Sequence, residues 1–153
     1  MSIYQQQNLN PLLKYLDKNE MNKVAPFIKT EKYQDGDLII SLGDRNRDIL
    51  IINKGLAAIL ILDENVVEKK VTELPEGEII GDQNFVIPVR RSANVKAVGE
   101  VDVSRFPYDE MIELLREETL IASKIFSAIN DSLAEKMTRT MKKYLEKEEK
   151  IQE

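Results

Sequence analysis

The sequence has no cysteine, no histidine and no tryptophan. Without cysteine no disulfide can form, so nothing in the fold depends on an oxidising compartment. Without cysteine or histidine, neither a Ser-His-Asp nor a Cys-His nucleophile system can be assembled. The usual zinc, copper and non-haem iron sites are excluded for the same reason. Carboxylate-only metal or acid–base sites survive, so an enzyme is not excluded, but the expectation is a protein with no catalytic residues, no metal and no cofactor. Long apolar runs are missing too. The best stretch, Leu50-Ile51-Ile52 and then Ala57 to Leu62, is interrupted by Asn53-Lys54-Gly55, so no membrane span is expected. The first residues, Met1 to Leu9, are rich in Gln and Asn and lack the charged-then-apolar plan of a signal peptide. A soluble, cytoplasmic protein is expected.

What is present is charge. Of 153 residues 32% are charged, and 22 Lys+Arg against 27 Asp+Glu give a formal net charge of −5. An acidic balance argues against direct DNA binding, which calls for a basic surface. The length fits one domain with one sizeable core.

Hydrophobic periodicity divides the chain into three parts. Asn10-Pro11 is a helix start, and Leu12, Leu13, Leu16, Met21, Val24, Phe27 and Ile28 recur at three- and four-residue steps, which predicts short helices over 10–32. From Tyr33 to Phe106 seven short β-rich runs alternate with turn residues. Gly36-Asp37, Gly43-Asp44, Asn53-Lys54-Gly55, Asp63-Glu64-Asn65, Pro75-Glu76-Gly77 and Gly99-Glu100 supply the turns. A turn about every 8–12 residues is the pattern of an all-β sandwich or barrel. Pro107 opens a second helical region, 107–150, whose longer member begins near Thr119 and carries Ala122, Ile125, Phe126, Ile129, Leu133, Met137, Met141, Tyr144 and Leu145 as one apolar stripe. The charged stretch from Lys142 is expected to fray. The expected architecture is therefore mainly β with flanking helices: an antiparallel β-roll, short helices before it and a long helix after it.

One segment, 80–93, breaks the strand pattern. It is too long for a hairpin turn and too short for a crossover helix. Gly81 permits an unusual dihedral angle. Asp82 is placed to cap a single helical turn whose free N–H groups face a cavity. Arg91 and Ser92 fall where the next strand begins. A guanidinium, a hydroxyl and a helix start that converge on one spot make an anion site. An acidic residue at its edge suits a sugar hydroxyl. Arg90, the neighbour of Arg91, is expected to face solvent, because successive strand residues point to opposite faces.

Gly81-Asp82 followed by Arg91-Ser92-Ala93-Asn94-Val95-Lys96-Ala97, together with Gly36-Asp37, Gly43-Asp44, Gly55 and Pro75-Glu76-Gly77-Glu78, resembles the cyclic-nucleotide-binding domains of the catabolite activator protein and of the regulatory subunits of cAMP-dependent kinase. The resemblance covers about Leu12 to Leu133. It implies a jelly-roll (double-stranded β-helix) fold and a ligand such as cAMP or cGMP. In such a site Arg91 and Ser92 would hold the cyclic phosphate, assisted by the backbone near Gln83 and Asn84. Asp82 would take the ribose, and Gly81 and Ala93 would keep the pocket open. Thr138 and Arg139 would lie toward the base, and the terminal helix would close over the ligand and pair two subunits in a homodimer. The sequence departs from the family at Asp82, one methylene shorter than the usual Glu, and at Gln83-Asn84-Phe85, which replaces a run such as Leu-Ala-Leu. No helix-turn-helix segment follows the terminal helix. The function implied is a regulatory sensor; the alternative is a domain of the same fold that binds no nucleotide and serves as a dimerisation or protein-interaction module. A cupin-like enzyme ranks third, because the usual cupin metal site needs histidine.

Overall fold

The computed structural model describes residues 10–152; the Gln/Asn-rich segment before Asn10 lies outside them. Two 3-10 turns, Pro11–Leu13 and Ala25–Phe27, flank helix α1 (Lys18–Val24). Asn10 caps the first turn by accepting from the Leu12 N–H. Asp17 and Glu20 form a reciprocal capping box on α1, which satisfies two otherwise orphaned N–H groups. Six strands follow: β1 (Lys29–Tyr33), β2 (Leu38–Ile40), β3 (Ile49–Leu62), β4 (Glu68–Leu74), β5 (Ile79–Ile80) and β6 (Asn94–Phe106), with the one-turn helix α2 (Asp82–Val86) between β5 and β6. Helices α3 (Tyr108–Glu117) and α4 (Thr119–Gln152) close the chain.

Every strand pairing is antiparallel. The sheet runs β1-β6-β3-β4, with β2 added on β6 and β5 on β3. Strands β3 and β6 are the spine of this β-roll, and they are continuous where turns are expected from sequence. Asn53-Lys54-Gly55 lies inside β3 and Gly99-Glu100 inside β6. Both places are bends with register irregularities on either side of Lys54. Gly55 is needed there because the backbone has φ +97°, and a Cβ would sit 2.3 Å from the Glu100 carbonyl oxygen. Residues 29–32, expected to be helical, belong to strand β1 (Lys29–Tyr33). It forms on pairing with Val101–Arg105 of β6, a tertiary effect that outweighs its unremarkable local propensity.

Strand periodicity divides the core in two. Ile49 and Ile51 point to a cluster with Leu12, Leu13, Met21, Phe106, Met111 and the helices, whereas Leu50 and Ile52 point into the roll with Ile39, Leu74, Val95 and Val103. All four consecutive residues are buried, so β3 carries both cores. Helix α4 buries Ile121, Ile125, Ala128 and Ile129 against the first cluster. Beyond Leu133 its apolar stripe is exposed: Met137 is 67% and Leu145 58% accessible. The helix continues through the charged tail to Gln152 without a break.

The two bend glycines offer a test. Gly99 also has positive φ, but nothing lies within 4 Å of a Cβ placed there. Gly99→Ala therefore carries only left-handed strain, about 1 kcal/mol. Gly55→Ala adds a backbone clash and is expected to cost on the order of 3 kcal/mol or more. Urea denaturation midpoints should fall in that order, and equal losses would show that the β3–β6 approach is not rigid.

Candidate functional site

The site begins with Gly81, which precedes α2 with φ 83°. The N-cap is this glycine and not Asp82, the residue expected there from sequence; Asp82 is the first residue of the helix. One turn leaves the N–H groups of Asp82, Gln83 and Asn84 without backbone acceptors in the helix, and Gln83 donates instead to the Asp82 side chain. Gly81 is obligatory for a second reason: a Cβ there would lie 2.3 Å from Nη1 of Arg91 and 2.7 Å from the Asp48 carbonyl oxygen. The guanidinium occupies the space that the missing side chain leaves.

Arg91 is 4% exposed. Its Nη1 donates to Asn84 Oδ1 at 2.9 Å, and its Nη2 donates to Asn46 Oδ1 at 2.9 Å and to the Asp48 carbonyl at 2.7 Å. All three acceptors are neutral, and no carboxylate pairs with Arg91 among the described residues. Burial pushes this guanidinium below the ordinary arginine range, against the pull of Asp48 and Asp44. Asn84, buried itself, also donates from Nδ2 to the Val89 carbonyl. Arg47 braces the same turn. It donates to the Asn84 and Phe85 carbonyls and to the Tyr108 hydroxyl, with its guanidinium 4.0 Å from the Tyr108 ring centroid. Asp48 ties this floor to the helices: its carboxylate accepts from the Tyr108 N–H at 2.7 Å and from Arg105 at 2.9 Å. It thereby caps α3, whose own N-cap, Pro107, offers no side-chain bond. Burial works against the charge of Arg105, but the hydrogen bonds it donates to Glu31, Tyr33 and Asp48 outweigh it and hold the guanidinium above its ordinary range.

Above this floor is a cavity of about 430 Å³. Ile40, Ile59, Leu74, Ile80 and Val95 make an apolar wall; Gly81, Asp82, Gln83, Asn84, Arg91, Ser92 and Ala93 make the polar end; Leu133, Lys136, Arg139, Thr140 and Lys143 of α4 form the lid. Four cationic and three acidic side chains line it, an excess of one positive charge. Gln83 and Ser92 are exposed, and so is Arg90; Arg90 and Arg91 lie in the loop before β6, which begins at Asn94, and not at the start of a strand. Asp82 is buried, and its carboxylate is engaged by α4, through Lys136 Nζ and Ser132 Oγ, both at 2.8 Å. Arg139 lines the cavity and pairs with Glu78 at 2.7 Å, which raises its pKa. Thr138 faces a shallow neighbouring depression with Ala134 and Glu135 and does not line the cavity. Sequence reasoning missed Asn46, Arg47, Asp48, Lys136, Thr140 and Lys143. The lid residues do carry a signal: Lys136, Arg139/Thr140 and Lys143 recur at helical spacing on one face of α4.

The roll thus holds a buried guanidinium without a carboxylate partner at the polar end of an apolar-walled cavity. The family model of the cyclic nucleotide-binding domain matches residues 30–118, and the chain belongs to that family. It is 30% identical over 105 residues, 69% of this chain, to a cAMP-dependent protein kinase regulatory subunit of Blastocladiella emersonii. It spans about a quarter (26%) of that relative's length. A cyclic nucleotide-binding domain from Methylobacillus flagellatus has the same fold, with a TM-score of 0.84 at 17% identity over 94% of this chain and 84% of that one. A mutant regulatory subunit of a cAMP-independent protein kinase A from Trypanosoma brucei, bound to cAMP in its A site, aligns at TM-score 0.64 and 25% identity, over 77% of this chain and 46% of that one. Among the described residues no helix is long and apolar enough to cross a membrane, and no group of three or more acidic side chains is placed to hold a metal ion.

The bonds of Arg91 predict a structural role independent of ligand. Arg91→Ala leaves the Asn84 amide oxygen and the Asp48 carbonyl without this donor, while Asn46 Oδ1 keeps the Asp48 N–H, and should lower the stability of the ligand-free chain by about 2–4 kcal/mol. An unchanged thermal unfolding midpoint would show that these three bonds do not hold the floor together.

Proposed function

We propose that this domain is a regulatory sensor of a 3′,5′-cyclic nucleotide. The observation that carries the reading is the buried guanidinium of Arg91, which has hydrogen bonds but no counter-ion. A cyclic phosphate is a monoanion, and it matches the single positive charge left over in the cavity lining. The phosphate would lie against Arg91 and the Ser92 hydroxyl, with the Asn84 N–H directed at its oxygens; the Gln83 N–H is held by Asp82 Oδ1 at 3.2 Å. Sugar and base would run along Ile40, Ile59, Leu74 and Val95, toward Arg139 and Thr140 on the lid. The chain's likeness to regulatory subunits supports cAMP or cGMP as the ligand.

Coupling follows from the lid. Helix α4 touches both the cavity and the exposed stripe of Met137, Met141, Tyr144 and Leu145. A ligand that binds one α4 position better than another shifts the population toward it. A stripe of this kind is best buried against a second copy of the same helix, so the sensor would act through a homodimer.

Calorimetric titration with cAMP and cGMP tests the ligand. Binding is expected, and Arg91→Lys, which keeps the charge and loses the planar fork, should weaken it about tenfold or more. Absence of heat up to about millimolar ligand, a free-energy threshold near 4 kcal/mol, would leave the dimerisation module as the function. Sedimentation equilibrium tests the dimer: the unaltered chain should have twice the mass of the Met141→Glu/Leu145→Glu variant, and equal masses would remove α4 as the interface.

A further inference from the structure

We propose that the Asp82 carboxylate is the anchor of α4 and not a sugar acceptor, so that the pocket takes cyclic nucleotides without selecting for a 2′-hydroxyl. This rests on the cyclic-nucleotide reading above and deepens it.

The carboxylate is fully engaged within the protein. Oδ1 accepts from Lys136 Nζ at 2.8 Å and from the Gln83 N–H at 3.2 Å, while Oδ2 accepts from Ser132 Oγ at 2.8 Å. Lys136 Nζ also donates to the Ile79 carbonyl at 2.7 Å, so the ammonium is clamped between β5 and α2. Asp82 is 3% exposed. For a 2′-hydroxyl to take this acceptor, a neutral donor would have to displace a charge-assisted one and strand a half-buried ammonium. The short aspartate side chain keeps the carboxylate against its own helix, where α4 meets it.

The other carboxylates of the cavity are committed in the same way. Glu78 pairs with Arg139 at 2.7 Å and Glu73 with Lys70 at 2.7 Å. The cations are not all committed. Arg91 has only neutral acceptors, and Lys143 lines the cavity with no ion pair among the described residues. The unspent electrostatic capacity of the pocket is therefore positive. It recognises the phosphate and offers no free carboxylate to a sugar hydroxyl.

The anchor is tested without ligand. In Asp82→Asn, amide hydrogen exchange in α4 around Ser132 to Arg139 should quicken by about tenfold or more, and unchanged protection overturns the anchoring role. The selectivity is tested by titrating the full chain with cAMP and 2′-deoxy-cAMP, and with the corresponding guanine pair. In the unaltered chain the two members of a pair should bind within about threefold of each other. In Lys136→Met the released carboxylate should turn to the ligand, and the ribose form should be favoured by about tenfold. A tenfold ribose preference already present in the unaltered chain overturns the proposal, as does a Lys136→Met variant that remains indifferent. If no cyclic nucleotide binds at all, the cyclic-nucleotide reading fails and the selectivity fails with it, while the exchange measurement still decides the anchor.

Discussion

A guanidinium that is buried without a counter-ion must be satisfied by dipoles, and the site is organised around that requirement for Arg91. Desolvation of a cation is costly unless its N–H groups find acceptors. Here the acceptors come from separate places in the chain: the Asn84 side chain on α2, the Asn46 side chain and the Asp48 carbonyl ahead of β3. Gly81 contributes by lacking a side chain. Holding one cation thus fixes the one-turn helix, the strand that begins after it and the β2–β3 loop relative to each other. The neutrality of the acceptors matters equally. They hold the cation without cancelling it, so its field remains available to an anion in the cavity.

The departures from the family pattern acquire a physical account. Asn84 stands where the family has a small residue, and it bonds both Arg91 and the Val89 carbonyl; it closes the loop that connects α2 to β6. Asp82 stands where the family has a longer acid, and it reaches α4. Both residues turn inward toward the protein's own groups. The pocket is accordingly braced at its floor by the Asn84 bonds, which a Leu-Ala-Leu run has no means of making, and at its lid by those of Asp82.

Much of this was legible in the sequence because local chemistry is periodic. The β-rich run Ile49-Leu50-Ile51-Ile52 and the helix start at Pro107 are short-range signals, and they point to the roll and the terminal helices; the spacing from Gly81 to Arg91 singles out a segment that lines the cavity. Three features were hidden for identifiable reasons. Glycine serves turns and bends alike, so Gly55 and Gly99 read as turns although the strands run through them. Strand β1 is polar and forms only on its partner β6. The partners of Asp82, Ser132 and Lys136, lie 50 and 54 positions along the chain, and no periodicity within one element reports a contact between two.

The character of the interface between α4 and the roll changes along the helix. Near its start it is greasy: Ile121, Ile125, Ala128 and Ile129 are sealed from water. From Ser132 onward it consists of polar and charged bonds at the rim of the cavity, Lys136 to Asp82 and Arg139 to Glu78 among them. Electrolyte screens the second kind of contact, most of all the exposed Arg139 pair, and leaves the first untouched or slightly strengthened. The helix is in effect a lever with a hydrophobic fulcrum, flanked by the Lys124–Glu20 and Lys14–Asp131 pairs, and with a polar tip that dissolved ions loosen.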